Sequence, residues 1–381
     1  MIVFTSICAN YGHKARILAE SVHRHMPAAK FFLCLTEREI PTALSEDSRF
    51  DRIILSREMW EGNFDRFIFK HDIVEASTAV KGAFFQWLMK EYPEEGCLIY
   101  LDPDCRVYSD FPEVKEALRS QPAVLCPHLL HPGNLDMELS STSHGVYNLG
   151  FLAVNNSCEA QKMISWWAER LYLYCYDDIP HGIFTDQKWM ELAPCFFDVK
   201  ILRHYGYDLA PWGLLKTSIK KQGTDWQIQG MPLRFIHFSG FGEVAEMCMQ
   251  KWCDDQNRDF RELYDEYALI HTAMDRDHIS QTPWSYSSYL SGETISRAIR
   301  ESYRKNWDIM FAQDDPFSYS NAYFEEKLGL KQPEGSPPVP AVPVQTSFGH
   351  KWQTARQVLQ EYGMEGVKNV IADKIHRRKR R

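Results

Sequence analysis

Short apolar runs alternate with longer amphipathic stretches along the first 125 or so residues. Ile2–Ala9, Lys30–Leu35, Arg52–Leu55, Cys97–Leu101 and Ala123–Cys126 read as buried strands. After the first comes the turn Asn10-Tyr11-Gly12, then a helix over Lys14–His25 with Ile17, Leu18, Ser21 and Val22 on one face. Between the third and fourth runs, the spacing predicts one long helix over Ile68–Met89, with Ile73, Val80, Phe84, Trp87 and Leu88 apolar. This alternation predicts an α/β fold with a mainly parallel sheet flanked by helices. Further along, Val146–Val154 is an apolar run interrupted by Asn148 and Gly150, and Ser157–Cys175 is helical. A short helix is expected over Thr185–Leu192 with Thr185 as its N-cap. Val199–Leu202 and Leu233–Phe238 are further strands, and residues 250–330 read as helical and aromatic-rich. Five prolines in 331–345 predict an extended linker, and Val367, Val370, Ile371 and Ile375 share one face of a last helix.

In a mainly parallel sheet, ligands sit beyond the carboxyl ends of the strands. That directs attention to Asn10 and Tyr11, to Thr36 and Glu37, and above all to Asp102-Pro103-Asp104. In LIYLDPDCRVY a hydrophobic strand runs straight into two carboxylates spaced i, i+2. Such a pair can share one divalent cation, and hard oxygen ligands suit Mg²⁺ or Mn²⁺. A cation there would neutralise a diphosphate leaving group. Asp-Pro-Asp is also good turn chemistry wherever it occurs.

The order of motifs resembles that of glycosyltransferases with the GT-A fold, a Rossmann-like nucleotide-diphospho-sugar transferase architecture. The matching stretches are YLDPDCRVY (100–108), GVYNLGFLAVN (145–155), TDQKWMELAP (185–194) and RFIHFSG (234–240). They look most like the retaining branch typified by bacterial galactosyltransferases and glycogenin. EASTAVKG (75–82), HYGYDLAPWGL (204–214) and WSYSSYLSG (284–292) further resemble glycosyltransferase-like proteins of bacterial cell-surface polysaccharide synthesis. The resemblance implies that Asp102, Asp104 and His237 bind Mn²⁺ or Mg²⁺, and that Asp186 and Gln187 are the catalytic pair beneath the donor sugar. A retaining transfer passes through an oxocarbenium-like state that needs a negative charge or a carbonyl nearby. It further implies nucleotide-sugar contacts from Thr5, Asn10, Tyr11, Lys81, Asn148 and Gly150. Gly240 and Gly242 would let the backbone approach the phosphates. His204, Tyr207, Asp208 and Trp212 form a polar-aromatic loop that would touch a donor or acceptor sugar. One departure is that no lysine stands between His237 and Lys251, where close retaining relatives place one. Each motif also has a bland use: a histidine at a strand end can be structural, and an aspartate in a first turn can simply cap a helix.

Charge divides the chain. The formal net charge of −8 comprises +6 on residues 346–381 and −14 on the rest. An acidic body excludes a nucleic-acid binder as a whole-chain reading. A basic amphipathic tail suits an anionic membrane surface. The expected organisation is a GT-A-like catalytic domain over 1–245, a helical extension over 246–330, a Pro-rich linker over 331–346 and a tail helix over 347–381. No apolar stretch is long enough to span a membrane. The first residues read as strand and turn rather than a secretory leader, and ten cysteines lack any CxxC pair. A cytoplasmic protein, peripheral on the inner face of the cell membrane, is therefore expected. Its partners would be a nucleotide-sugar donor, UDP-sugars favoured, and a glycan or lipid-linked acceptor in cell-surface polysaccharide synthesis. Two other readings are a phosphatase of the haloacid dehalogenase type, which also ends a strand in Asp-x-Asp, and a non-catalytic nucleotide-sugar or carbohydrate-binding protein.

Overall fold

The computed structural model describes residues 1–330; the linker and tail expected beyond them lie outside the described residues. The described residues divide into two compact units: Met1–Met59 with Val74–Trp284, and Trp60–Ile73 with the described residues from Ser285 onward. The first unit therefore runs well past residue 245, and the second takes in a piece from before the Asp-x-Asp strand.

The first unit is built on strands β1 (Ile2–Ile7), β2 (Lys30–Leu35), β3 (Arg52–Leu55), β4 (Leu98–Leu101), β5 (Cys105–Val107), β6 (Ala123–Leu125) and β7 (Phe151–Val154). There follow β8 (Asp177–Asp178), β9 (Ile183–Phe184), β10 (Lys200–Ile201), β11 (Ile219–Gln222), β12 (Asp225–Ile228), β13 (Met231–Pro232) and β14 (Phe235–His237). Seven of them form the central sheet in the order β10-β6-β7-β4-β1-β2-β3. Every neighbouring pair is parallel except those involving β7, which runs against β4 and β6. The mainly parallel α/β expectation holds. All six residues of β1 are buried, as a central strand covered on both faces requires.

Because β7 is antiparallel, its entry lies at the carboxyl end of β4, with Leu101 paired to Phe151. The Asp102 N–H continues the ladder to the Gly150 carbonyl at 2.9 Å. The Asp102–Asp104 turn then feeds β5, which pairs with β14 rather than joining the main sheet, His237 opposite Cys105. Strand β14 therefore brings a histidine beside the two aspartates from more than a hundred residues away.

The single helix expected over Ile68–Met89 is three: Phe64–Phe69, Ile73–Ala79 and Lys81–Glu91. The first break has a visible cause within the second unit. Arg300, itself buried, donates to the carbonyls of Phe69 (3.1 Å) and His71 (2.9 Å). A continuous helix would give those acceptors to the N–H groups four residues on. Around the same point Phe69 packs against Tyr303, Phe317 and Phe324 at ring separations of 4.8 to 5.1 Å, the core of that unit.

A second difference is the three-stranded sheet β11-β12-β13, in a stretch with no expected strands. Its turns are Gly223-Thr224, with Gly223 at φ +64°, and Gln229-Gly230, at φ +52° and +77°. Positive φ at both central residues fits Gln229-Gly230 to a type I′ hairpin turn, and positive φ at the first alone fits Gly223-Thr224 to type II′. Thr185 does not cap a helix: it sits at φ +41°, and a short 3₁₀ segment begins only at Lys188.

Candidate active site

Asp102 and Asp104 leave the carboxyl end of β4, and His237 ends β14. One ligand atom from each converges within 4.8 Å of the others. His237 Nε2 lies 3.1 Å from Asp104 Oδ1 and 3.6 Å from Asp102 Oδ2. Burial opposes charge on the imidazole, but the Asp104 and Asp208 carboxylates outweigh it and hold the ring's pKa well above the usual histidine value. Burial likewise raises the Asp104 pKa, but the His237 ring and then Lys14 prevail and hold it down to about 2. Two carboxylates and one imidazole are a donor set for Mn²⁺ or Mg²⁺, and the residues fit that group: their donor atoms already face one point, anchored by backbone pairing of β5 to β14.

Glycine at 150 is a packing requirement. A Cβ there would meet His237 Cε1 and Nδ1, each at 2.4 Å. The imidazole packs against Gly150, and Asn148 borders it. The Asn148 Oδ1 accepts the Gly150 N–H at 3.0 Å, and its Nδ2 faces His237 Nδ1 at 3.2 Å.

Lys81 opens the helix Lys81–Glu91, a position where the helix dipole disfavours a cation. It is 2% exposed, and its contacts compensate, among them the Leu149 carbonyl at 3.4 Å. Its Nζ donates to Asp186 Oδ2 (2.9 Å) and Asp102 Oδ1 (3.3 Å), and sits 4.1 Å from the centre of the Tyr100 ring. Burial lowers the Lys81 pKa, yet the two carboxylates prevail and raise it. Burial raises that of Asp186 despite Lys81. The alignment comes from helix packing. Gly82 approaches the Ala168 backbone so closely that a Cβ would lie 2.7 Å from Ala168 Cα. One residue away, the Trp167 indole donates to the Asp186 carbonyl at 3.0 Å. The close crossing of Lys81–Glu91 with Cys158–Tyr174 thus places Lys81 and Asp186 together.

Gln187 is engaged with backbone on both sides. Its Oε1 accepts the Leu149 N–H (3.0 Å), and its Nε2 donates to the His144 carbonyl (3.1 Å). Asp208 faces the far side of His237, its Oδ1 3.3 Å from Nδ1, while the Trp212 ring lies 6.5 Å from the imidazole. At the end of β1, Thr5 is fully buried, and its Oγ1 and Asn10 Oδ1 are buried without hydrogen-bond partners among the described residues. Tyr11 is 39% exposed. Gly240 and Gly242 take φ of +64° and +99°, forming the turn into the helix Glu243–Trp252.

The structure does not bring His204 to this group. It accepts the Gly206 N–H at 3.0 Å and lies 3.5 Å from Glu113, which also binds Arg234 and the Tyr207 hydroxyl. The loop divides at successive residues, Tyr207 entering the core and Asp208 turning to His237.

Two residues join the site without having been expected there. The Tyr100 hydroxyl donates to Asp102 Oδ1. Its signal was available, because residues i and i+2 of a strand share a face. Lys14 Nζ lies 3.8 Å from Asp104 Oδ2 and 4.3 Å from the Tyr11 ring centre. A cation in the first turn of the helix after β1 runs against the dipole, which is the signal in that case.

No protein-family model matches the chain. A stretch of 175 residues is 24% identical to an uncharacterized protein of Bacillus subtilis, YfnD; it covers 45% of this chain and 55% of that protein, so the match spans about half the relative's length. Among solved structures, an active-site mutant of LgtC is similar over 70% of this chain and 95% of that one, at 15% identity and TM-score 0.45. The galactosyltransferase LgtC in complex with donor and acceptor sugar analogues is similar over 72% of this chain and 96% of that one, at 15% identity and TM-score 0.42. Mouse xyloside xylosyltransferase 1 in its apo form is similar over 55% of this chain and 86% of that one, at 16% identity and TM-score 0.35. At these scores the overlap is partial, and the functional reading rests on the site's geometry. No helix among the described residues is long and apolar enough to cross a membrane.

Proposed function

We propose that this chain is a metal-dependent glycosyltransferase of the GT-A type, moving a sugar from a nucleoside-diphosphate donor, UDP-sugars favoured, to a hydroxyl on a glycan or lipid-linked acceptor. The observation that carries the reading is the convergence of Asp102, Asp104 and His237 Nε2 at the carboxyl end of β4, with the Lys81–Asp186 pair directly behind Asp102. Those three residues would hold a Mn²⁺ or Mg²⁺ ion, which when bound would supply charge neutralisation for a departing diphosphate.

The remaining roles belong to the chain. Tyr100 and Lys81 both bond Asp102 Oδ1, which leaves Oδ2 on the His237 side. Asp186 holds negative charge in a buried position, where it stabilises a developing oxocarbenium more than it would in water. Gln187 fixes the Leu149–Gly150 backbone that forms the wall against His237. Tyr11 offers an exposed ring for stacking on a base, and the unpartnered Thr5 Oγ1 and Asn10 Oδ1 lie in the same stretch of chain. Retention at the anomeric carbon, a role in cell-surface polysaccharide synthesis and a location on the inner membrane face belong to the same proposal. Their support is the order of sequence motifs and the basic tail. The test is a donor-hydrolysis screen over UDP-, GDP- and CDP-sugars with Mn²⁺. One donor family should turn over, and Asp104→Ala should abolish its turnover. Turnover that persists in EDTA would overturn metal dependence.

A further inference from the structure

We infer that Asp208 is a positioning residue that holds the His237 imidazole in the one tautomer able to bind a cation. The inference rests on the metal-dependent reading above and assigns Asp208 a role behind the metal ligand rather than on a sugar.

Backbone bonds deliver Asp208 to the ring. Gly206–Leu209 runs beside β14: the Arg234 and Phe235 N–H groups both donate to the Gly206 carbonyl, at 2.7 and 3.1 Å. The His237 N–H donates to the Leu209 carbonyl at 2.9 Å, and Leu209 bridges to Ile236 in parallel. Between these anchors Asp208 takes φ +51°, a conformation that costs a non-glycine residue energy and persists only where its surroundings impose it. Its side chain is 1% exposed, neither carboxylate oxygen makes a hydrogen bond among the described residues, and the charged group it faces is the His237 ring, with Nδ1 3.3 Å from Oδ1. A strained, buried carboxylate facing a single group is placed for that group.

His237 Nδ1 faces two neighbours with opposite demands. Asn148 has its orientation set by the Gly150 N–H on Oδ1, so it presents the amide Nδ2, a donor, at 3.2 Å. Asp208 presents an acceptor. If Nδ1 accepted from Asn148, the ring proton would sit on Nε2 and point at Asp104 and Asp102, leaving no lone pair for a cation. If Nδ1–H donates to Asp208, the Nε2 lone pair faces the two carboxylates. A charged acceptor makes roughly twice as strong a hydrogen bond as a neutral partner. Asp208 therefore prevails over Asn148 and frees Nε2, as outer carboxylates do for metal-binding histidines in general.

The test compares wild type, Asp208→Ala and Asp208→Asn by two readouts. The first is Mn²⁺ affinity of the nucleotide-free protein, by electron paramagnetic resonance of free Mn²⁺. The second is the His237 tautomer, by long-range ¹H–¹⁵N correlation on ¹⁵N-histidine-labelled metal-free protein at a pH above the raised pKa of the ring, where the imidazole is neutral. Asp208→Ala should bind Mn²⁺ about 10- to 100-fold more weakly, and its His237 should move to the Nε2–H form. Asp208→Asn, which keeps the shape and an acceptor oxygen but loses the charge, should fall between. Unchanged Mn²⁺ affinity in Asp208→Ala, or a His237 tautomer that is the same in all three proteins, would overturn the inference. Wild-type protein that binds no Mn²⁺ would instead overturn the metal reading, while the tautomer comparison would still decide the role of Asp208.

Discussion

Replacing Gly150 by alanine perturbs the site chiefly through the His237 ring. The added Cβ would lie 2.4 Å from two atoms of the His237 ring. Carbon atoms pack at about 3.5 Å or more, so the imidazole must retreat by roughly 1 Å. The backbone at Gly150 lies outside the left-handed region, so the perturbation is steric: the ring contact dominates, and Asn148 Oδ1, 3.1 Å from the added Cβ, must give by a few tenths of an ångström. Metal ligation tolerates about 0.2 Å, so a displacement of that size removes His237 from the donor set. We expect Mn²⁺ affinity to fall about 10-fold or more and overpacking to destabilise the unit by about 1–3 kcal/mol. Mn²⁺ titration and urea unfolding measure the two effects. Gly96→Ala is the control, since nothing lies within 4 Å of its Cβ position and its φ is not left-handed. A Gly150→Ala protein that binds Mn²⁺ within twofold of wild type, at unchanged stability, would refute the placement of the ring against Gly150.

Further outcomes follow from the buried charges. Cation binding needs a neutral Nε2, and the His237 pKa is raised, so Mn²⁺ affinity should climb with pH, up to tenfold per unit, until that pKa is passed; a flat profile between pH 6 and 9 would contradict this. In metal-free protein the same raised pKa contributes stability that is fully present below the unfolded value of about 6.5 and lost as pH rises through the folded one, so urea midpoints should fall on the alkaline side. Lys81→Met strands Asp102 and the buried Asp186 and should destabilise by about 3–5 kcal/mol at neutral pH. Protonating the orphaned carboxylates relieves that cost, so the variant should regain stability on acidification, which pH-dependent urea unfolding reads. Asp186→Asn should lower kcat about 100-fold or more while donor affinity changes little; an equal loss in affinity would assign Asp186 to binding.

The sheet was legible because its strands are short apolar runs buried on both faces, and β1, β2, β3 and β4 fall within a residue or two of their expected spans. The Asp-x-Asp turn was legible because it interrupts such a run. The helix over 68–89 misled because periodicity records which positions are apolar and not who competes for a carbonyl; Arg300, more than two hundred residues away, decides the break. The strands β11 and β12 are largely polar and exposed beyond Ile219 and Ile228, so no apolar run announced them. Their Gly-Thr and Gln-Gly turns did carry a signal. Within the site, sequence order named residues and could not assign their partners. Asp208 belongs behind His237 only because Gly206–Leu209 pairs with β14, and His204 falls beside Glu113 for the same reason.

In the proposed function Asp102, Asp104 and His237 hold a cation that receives a nucleoside diphosphate. The most direct measurement is calorimetric titration of UDP, GDP and CDP into wild type and Asp104→Ala, each with Mn²⁺ and with EDTA. One nucleotide should bind wild type only when Mn²⁺ is present, and Asp104→Ala should bind it in neither condition. Binding that is indifferent to Mn²⁺, or equally tight in Asp104→Ala, would contradict the proposed function.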